Sequence, residues 1–376
     1  MYQFYRMDNP YDGDENMTVY NFSAGPARLP KAVMERVQAE FCDYQGSGSG
    51  IVELSHRGKY FAPVIERAEA NIRELMGISD DYAVCFIQGG ASMQFAMLAM
   101  NLLNGGTADY VDTGVWSSKA AKEAKLYGTV NIVASSKESK YDHIPAQSEW
   151  KLTPGAAYMH ITSNNTIAGT QYQQLPKAPA VVPLIADMSS DIMSRVFDVN
   201  KFGMFYAGAQ KNLGPSGVAL VVIRKDLAAR TDESKVPTRL RYSTYINEGS
   251  MFNTPPTFAI YILALITDWL KEHGGIAAME QVNNAKAKLL YDFLDESKFY
   301  TSPVAKADRS RMNVVFRTPD ADLDAKFVAE ATAAGLTQLK GHRLVGGCRA
   351  SIYNAMPIEG VQALIDFMKK FECANK

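Results

Sequence analysis

The chain has 376 residues, 47% hydrophobic and 21% charged, an ordinary globular composition that suggests two domains or one large domain with a smaller companion. Its formal net charge is −1, which excludes a global basic field for nucleic acid or an anionic membrane; any anionic ligand has to be held by local basic residues. Cys42, Cys85, Cys348 and Cys373 show no paired spacing and the five histidines form no zincin pattern, which argues against a disulfide framework and against a metal site.

The opening MYQFYRMDNPYDGDEN has no periodicity, so residues 1–16 are expected to be a disordered leader, with Met17 a candidate start. It shows no signal-peptide pattern, and the most apolar run, Phe258 to Ile266, is too short to span a bilayer. A cytoplasmic protein is the expectation. YAVCFI (82–87) then predicts a strand, followed by a QGG turn and a helix starting near Ser92. YVDT (110–113), NIVAS (131–135), YMHIT (158–162), PLIAD (183–187), MFYAG (204–208) and VALVVI (218–223) continue the series. Helical patterns such as SKAAKEAKLYG (118–128) lie between them. The alternation predicts an α/β fold, a mainly parallel seven-stranded sheet with helices on both faces. A helix-rich stretch runs from Thr257 to about Ser297, and with no Pro/Gly/Ser-rich boundary near 270 the linker is expected within a helix. The tail reads strand (313–316), helix (322–334), strand (349–353), helix (358–371), a small α+β unit.

Lys211 follows a predicted strand in FYAGAQKNLGPSG, and Asp187 ends the strand PLIAD. Ligands of open α/β sheets collect beyond the carboxyl ends of strands, so both residues can face one crevice. A lysine there can form an imine with an aldehyde cofactor, while the carboxylate keeps the cofactor's ring nitrogen protonated. The spacing by itself also suits a surface lysine.

The strings NFSAGPARLP, SHRGK, QGGAS, TGVWS, NNTIAGTQ, ADMSSD, AGAQKNLGPSG, NTPPTFAIY and GHRLVGGCRASIYNA occur in order from residue 21 to residue 355. Together they resemble phosphoserine aminotransferases of the class V aminotransferase group. The resemblance implies the type I fold of pyridoxal-phosphate enzymes and a homodimer with active sites at the subunit interface. It implies transamination between 3-phosphohydroxypyruvate and glutamate, giving O-phosphoserine and 2-oxoglutarate, with Lys211 as the Schiff-base lysine. Some members also act on 4-phosphohydroxythreonine. The expected division is a large cofactor-binding domain over 31–270 and a small domain of 17–30 with 271–376.

By the same resemblance, Ala91 and Ser92 meet the cofactor phosphate at a helix start, where backbone N–H groups make a ready anion site. Gln210 and Ser189 join them. Trp116 is either plain core or a plate stacked on the pyridine ring. Thr166 bonds the ring hydroxyl. Asn253 and Thr254 reach the phosphate of the neighbouring subunit, while Thr254 also reads as a helix-entry residue near the cap. Arg349 grips the α-carboxylate, and Ser23 lines the glutamate site. His56 and Arg57, from across the interface, surround the substrate phosphate with His342 and Arg343; arginine's planar fork suits both anions. The alternatives are a cysteine desulfurase of the same fold, with Cys348 as its only candidate nucleophile, and a non-catalytic binding protein.

Overall fold

The computed structural model describes residues 18–376, so the expected leader and Met17 lie outside the described residues. In chain order the elements begin with β1 (Tyr20–Asn21), α1 (Lys31–Glu40), α2 (Ala62–Met76), β2 (Tyr82–Gln88) and α3 (Ala91–Leu102). Next come β3 (Thr107–Asp112), α4 (Val115–Ala124), β4 (Thr129–Ser135), β5 (Met159–Thr162) and the small ladder β6 (Asn164–Asn165) with β7 (Thr170–Gln171). β8 (Leu184–Asp187), β9 (Met204–Gly208) and β10 (Val218–Arg224) are followed by short helices α5 (Lys225–Ala228) and α6 (Tyr242–Asn247). The chain finishes with α7 (Thr257–Glu272), α8 (Gly275–Glu296), β11 (Asn313–Phe316), α9 (Ala321–Ala333), β12 (Leu336–Thr337), β13 (Cys348–Ser351) and α10 (Ile358–Asn375).

The seven predicted apolar runs form one sheet, in the order β2-β10-β9-β8-β5-β3-β4. Only β10 runs against its neighbours, pairing antiparallel with both β2 and β9. Burial explains why these strands read as continuous apolar runs. Val84, Phe86, Phe205, Ala207, Leu220 and Val222 point into one core, whereas Cys85, Ile87, Tyr206, Val221 and Ile223 point into the other. A sheet covered on both faces needs apolar residues at every position. α7 is likewise buried nearly all round, from Ala259 to Leu270, because it packs between α2, α1 and α8. Among the described residues no helix is long and apolar enough to cross a membrane.

The expected helical linker near 270 does not hold as one helix. Gly274 and Gly275 have φ of +84° and +73°, a left-handed conformation that side-chain-bearing residues avoid, and the stretch breaks there into α7 and α8. Beyond the break a third core forms from Leu290, Leu294, Val314, Phe316, Phe327, Leu364 and Phe371. Phe22 belongs to this core, and β1 pairs parallel with β12, so the start of the described chain is tied to its end.

α8 contributes one fully buried cation to this region. Lys286 donates hydrogen bonds to the carbonyls of Ile352, Tyr353 and Met356 at 3.1, 2.8 and 3.0 Å. Burial pushes its pKa down to about 7, yet three carbonyls match the three N–H bonds of an ammonium. Next to it, Asn283 donates to Asn354 Oδ1 at 2.8 Å, fastening the turn after β13 to α8. Replacing Lys286 with Met removes the donor for all three carbonyls. We expect a loss of about 2–4 kcal/mol, read as a lower urea midpoint; an unchanged midpoint would show that the carbonyls find other partners.

Candidate active site

The parallel strands present their carboxyl ends on one side of the sheet. Thr162 ends β5 and Asp187 ends β8, and the two are register partners. The turn after β9 carries Gln210 and Lys211. It is held by Leu213 N and Gly214 N donating to Ala209 O at 3.1 and 2.8 Å. These elements enclose a cavity of about 230 Å³ lined by Gly90, Ala91, Ser92, Trp116, Thr162, Asn164, Thr166, Asp187, Ser189, Ser190, Gln210 and Lys211.

Lys211 is only 9% exposed, and its Nζ donates to Thr166 Oγ1 at 2.6 Å. Burial is the largest influence on the amine and brings its pKa down to about 8; Asp187 opposes the fall and Arg349 adds to it. Asp187, 4% exposed, is raised above the usual carboxylate range by burial. Ser189 counters that rise, because its N–H and Oγ both donate to Asp187 Oδ1, at 2.9 and 2.6 Å. Ser189 Oγ in turn accepts from Gly208 N at 3.0 Å, so the end of β9 helps orient the carboxylate. Both Ser189 bonds fall on Oδ1, which leaves Oδ2 for a donor in the cavity.

The cavity's other end is a helix start. Gly89 has φ of +104°, so the chain turns there from β2 into α3 in a conformation open to glycine. The N–H groups of Ala91 and Ser92 are among the donors a helix start leaves unpaired within the helix. Gly89 N donates to Gly217 O at 3.0 Å, joining this turn to the segment between β9 and β10.

Trp116, in the first turn of α4, is held by its neighbours. Ser117 Oγ accepts from Thr113 N and Gly114 N, each at 2.9 Å, and donates to Asp112 Oδ1 at 2.9 Å. Asp112 also takes the hydroxyls of Ser118, Ser135 and Tyr141 at 2.7, 3.2 and 3.3 Å. The indole Nε1 is buried without a partner among the described residues, as is Thr162 Oγ1. Such orphans call for a partner.

Arg349, on β13, sits beside the cavity with Nη1 3.4 Å from Thr166 O, and its Nε has no partner among the described residues. The loop holding Ser23 also abuts the site. Gly25 has φ of +140°, and a Cβ there would lie 3.4 Å from Lys211 Cγ, while Ala27 N donates to Gln210 O at 2.9 Å.

Eight predicted residues lie outside the cavity lining: Ser23 and Arg349, which adjoin it, and His56, Arg57, Asn253, Thr254, His342 and Arg343. His56 Nε2 is buried without a partner among the described residues, and Arg57 is exposed. With its amide oxygen turned toward Arg239, Asn253 accepts from both guanidinium Nη atoms at 3.1 and 3.2 Å. Thr254 does not serve as the helix cap; α7 begins at Thr257 behind Pro256, and Thr254 O accepts from Gln88 Nε2 at 2.8 Å. Conversely, Gly90, Thr162, Asn164 and Ser190 line the cavity but were not singled out from sequence. Each adjoins a motif that was, so strand-end position was the available signal. Asp112 lies inside the predicted strand YVDT, one residue before its end, and carried no such signal.

The lining fits pyridoxal phosphate on its own terms. It offers an anion-binding helix start for the phosphate, a buried carboxylate with one open oxygen for a protonated ring nitrogen, an aromatic plate and a lysine whose pKa is already lowered. A thiol nucleophile is not on offer. Cys348 is fully buried within β13, and burial drives its pKa far up, away from the thiolate a desulfurase needs.

Comparison with known proteins agrees with this chemistry. The family model described as aminotransferase class-V matches residues 19–364. The chain is 54% identical to the phosphoserine aminotransferase of Nitrosomonas europaea, over 94% of this chain and 98% of that protein. It is 52% identical to the phosphoserine aminotransferase of Bacillus cereus, over 95% and 99% of the two. Among solved structures, phosphoserine aminotransferase from Bacillus circulans subsp. alkalophilus superposes with a TM-score of 0.93 at 50% identity, covering 95% of this chain and 99% of that one. The PLP-bound phosphoserine aminotransferase from Trichomonas vaginalis gives a TM-score of 0.90 at 41% identity, covering 93% and 99%.

The tether on Trp116 can be tested directly. Asp112→Ala removes an acceptor shared by four hydroxyls. We expect affinity for pyridoxal phosphate to fall about tenfold, the scale of one hydrogen bond to a charged group. Titration of Trp fluorescence would measure it, and unchanged affinity would remove Asp112 from the positioning of the indole.

Proposed function

The chain belongs to the class V aminotransferase family, and on that footing we propose that it transfers an amino group from L-glutamate to 3-phosphohydroxypyruvate. The products are 2-oxoglutarate and O-phospho-L-serine. The mainly parallel seven-stranded sheet is that of the type I pyridoxal-phosphate enzymes, and pyridoxal phosphate is the cofactor. The observation that carries the reading is a lysine of lowered pKa, Lys211, buried in one cavity with the carboxylate Asp187.

When bound, pyridoxal phosphate supplies an aldehyde that takes up the amino group and a ring that withdraws electrons from the substrate's α-carbon. The rest falls to the protein. Asp187, oriented by Ser189, would keep a proton on the ring nitrogen. Ala91, Ser92 and Gln210 would hold the phosphate, with Asn253 and Thr254 of the partner subunit. Trp116 would fix the ring plane and Thr166 the ring hydroxyl. Arg349 would take the α-carboxylate in a bidentate grip, with Ser23 lining the glutamate side. His342 and Arg343, with His56 and Arg57 of the partner subunit, would receive the distal anion of either substrate. Lys211 Nζ, lowered in pKa by its dry surroundings, would accept the proton from the substrate's Cα and hand it on to the carbon that bore the cofactor's aldehyde.

A homodimer belongs to this reading. Met93 and Phe252 are 43% and 41% exposed, and they adjoin Ser92 and Asn253, two of the residues assigned to the shared site. Large apolar side chains left in water beside such residues suit a face covered by a second copy.

The deciding experiment is a half-reaction on the cofactor-loaded protein. O-phosphoserine at low concentration should bleach the visible absorption band, and serine should not. A band indifferent to phosphoserine overturns the substrate; no band after adding pyridoxal phosphate overturns the whole reading. Lys211→Ala should lower kcat at least about a thousandfold, since proton transfer and the covalent link both depend on the amine. Only the unprotonated amine can take a proton, so kcat should rise with pH toward about 8 and level off above it. A kcat that falls across that interval would contradict Lys211 as the base.

A further inference from the structure

Building on the reading just given, we infer that Lys119 is a specificity-determining residue that favours a substrate with a doubly charged distal group over one with a single charge. It lies one helical turn beyond Trp116 on α4, where side chains three apart share a face. Its Nζ stands 4.5 Å from the centroid of the Trp116 ring, and Trp116 lines the cavity. The lysine is exposed, so the cation–π contact holds an otherwise mobile ammonium at the cavity's rim.

The charges around it are of one sign. His342 is lowered in pKa by burial first and then by the positive charges of Arg349, Arg343 and Lys119, which marks these groups as neighbours. Among the described residues none of Lys119, His342, Arg343 and Arg349 has a carboxylate within 4.0 Å. Elsewhere on this chain exposed basic residues commonly find one, as Lys271 does with Glu74 at 2.7 Å and Lys235 with Asp232 at 2.8 Å. A group of uncompensated cations repels itself and is relieved by an anion.

The two amino donors differ in that respect. O-phosphoserine carries close to two negative charges on its phosphate at neutral pH, and glutamate carries one on its side chain. A cation at the rim therefore acts about twice as strongly on the first as on the second. Lysine suits this task because a point charge on a flexible stem can serve both groups, whereas the α-carboxylate, common to both, is left to the fork of Arg349.

The test compares wild type with Lys119→Met and Lys119→Arg in the two half-reactions, with O-phosphoserine and with glutamate, in the cofactor-loaded protein. Methionine keeps an unbranched stem over the indole and removes the charge. Lys119→Met should raise KM for O-phosphoserine about tenfold and KM for glutamate about threefold, with kcat little changed and cofactor affinity intact. Lys119→Arg should recover most of the phosphoserine KM. Equal shifts for both donors, or a joint fall in kcat and cofactor affinity, would mean that Lys119 only braces Trp116, and would overturn the inference. A wild-type protein that converts glutamate but ignores phosphoserine would sink the earlier reading as well, so the two failures are distinct.

Discussion

The structure depends on keeping one lysine dry. Removing the Lys211 amine from water penalises its charged form, and the surrounding residues balance that penalty without cancelling it. Asp187 and Asp191 pull toward the ammonium, while Arg349 pushes the other way. No carboxylate forms a direct ion pair with Nζ among the described residues; its partner is the neutral hydroxyl of Thr166. A tight ion pair would have pinned the proton on the amine. The arrangement found leaves the amine able to give the proton up near neutral pH, which is what a base and a nucleophile both need.

Much of this was legible in the sequence, for an identifiable reason. Strands buried on both faces, such as β2, β9 and the reversed β10, write themselves as uninterrupted apolar runs, and the edge strand β4 was legible from its β-branched residues although it is mostly not buried. Lys211 and Asp187 stood out because they follow or end such runs. The ladder β6–β7 escaped notice because its residues, Asn164, Asn165, Thr170 and Gln171, are polar and are buried through side-chain hydrogen bonds. The break between α7 and α8 is hard to read from sequence because Gly274 and Gly275 stand between two apolar helical patterns, and a glycine pair there is compatible with a continuous helix until its positive φ values are known.

Other features depend on contacts that local pattern does not encode. Lys286 resembles any helical lysine until the fold brings carbonyls 66 to 70 positions away onto its ammonium. Asp112 becomes an anchor for the Trp116 turn only when Ser135 and Tyr141 come round to meet it. The substrate side was the least legible: Arg349 adjoins the cavity, yet His56, Arg57, Asn253 and Thr254 stay outside its lining.

One small contact has a mechanical meaning. The hydrogen bond from Gly89 N to Gly217 O ties the helix start at Ala91 to the far end of the connection between β9 and β10. That connection, residues 209–217, is the one carrying Lys211, and it joins two antiparallel strands without any intervening helix. Anion cradle and amine are thus riveted into one frame, like the jaws of a caliper set to a single opening. Because both walls share this bond, a shift of the helix start is passed on to the segment that carries Lys211 instead of widening the cavity between them.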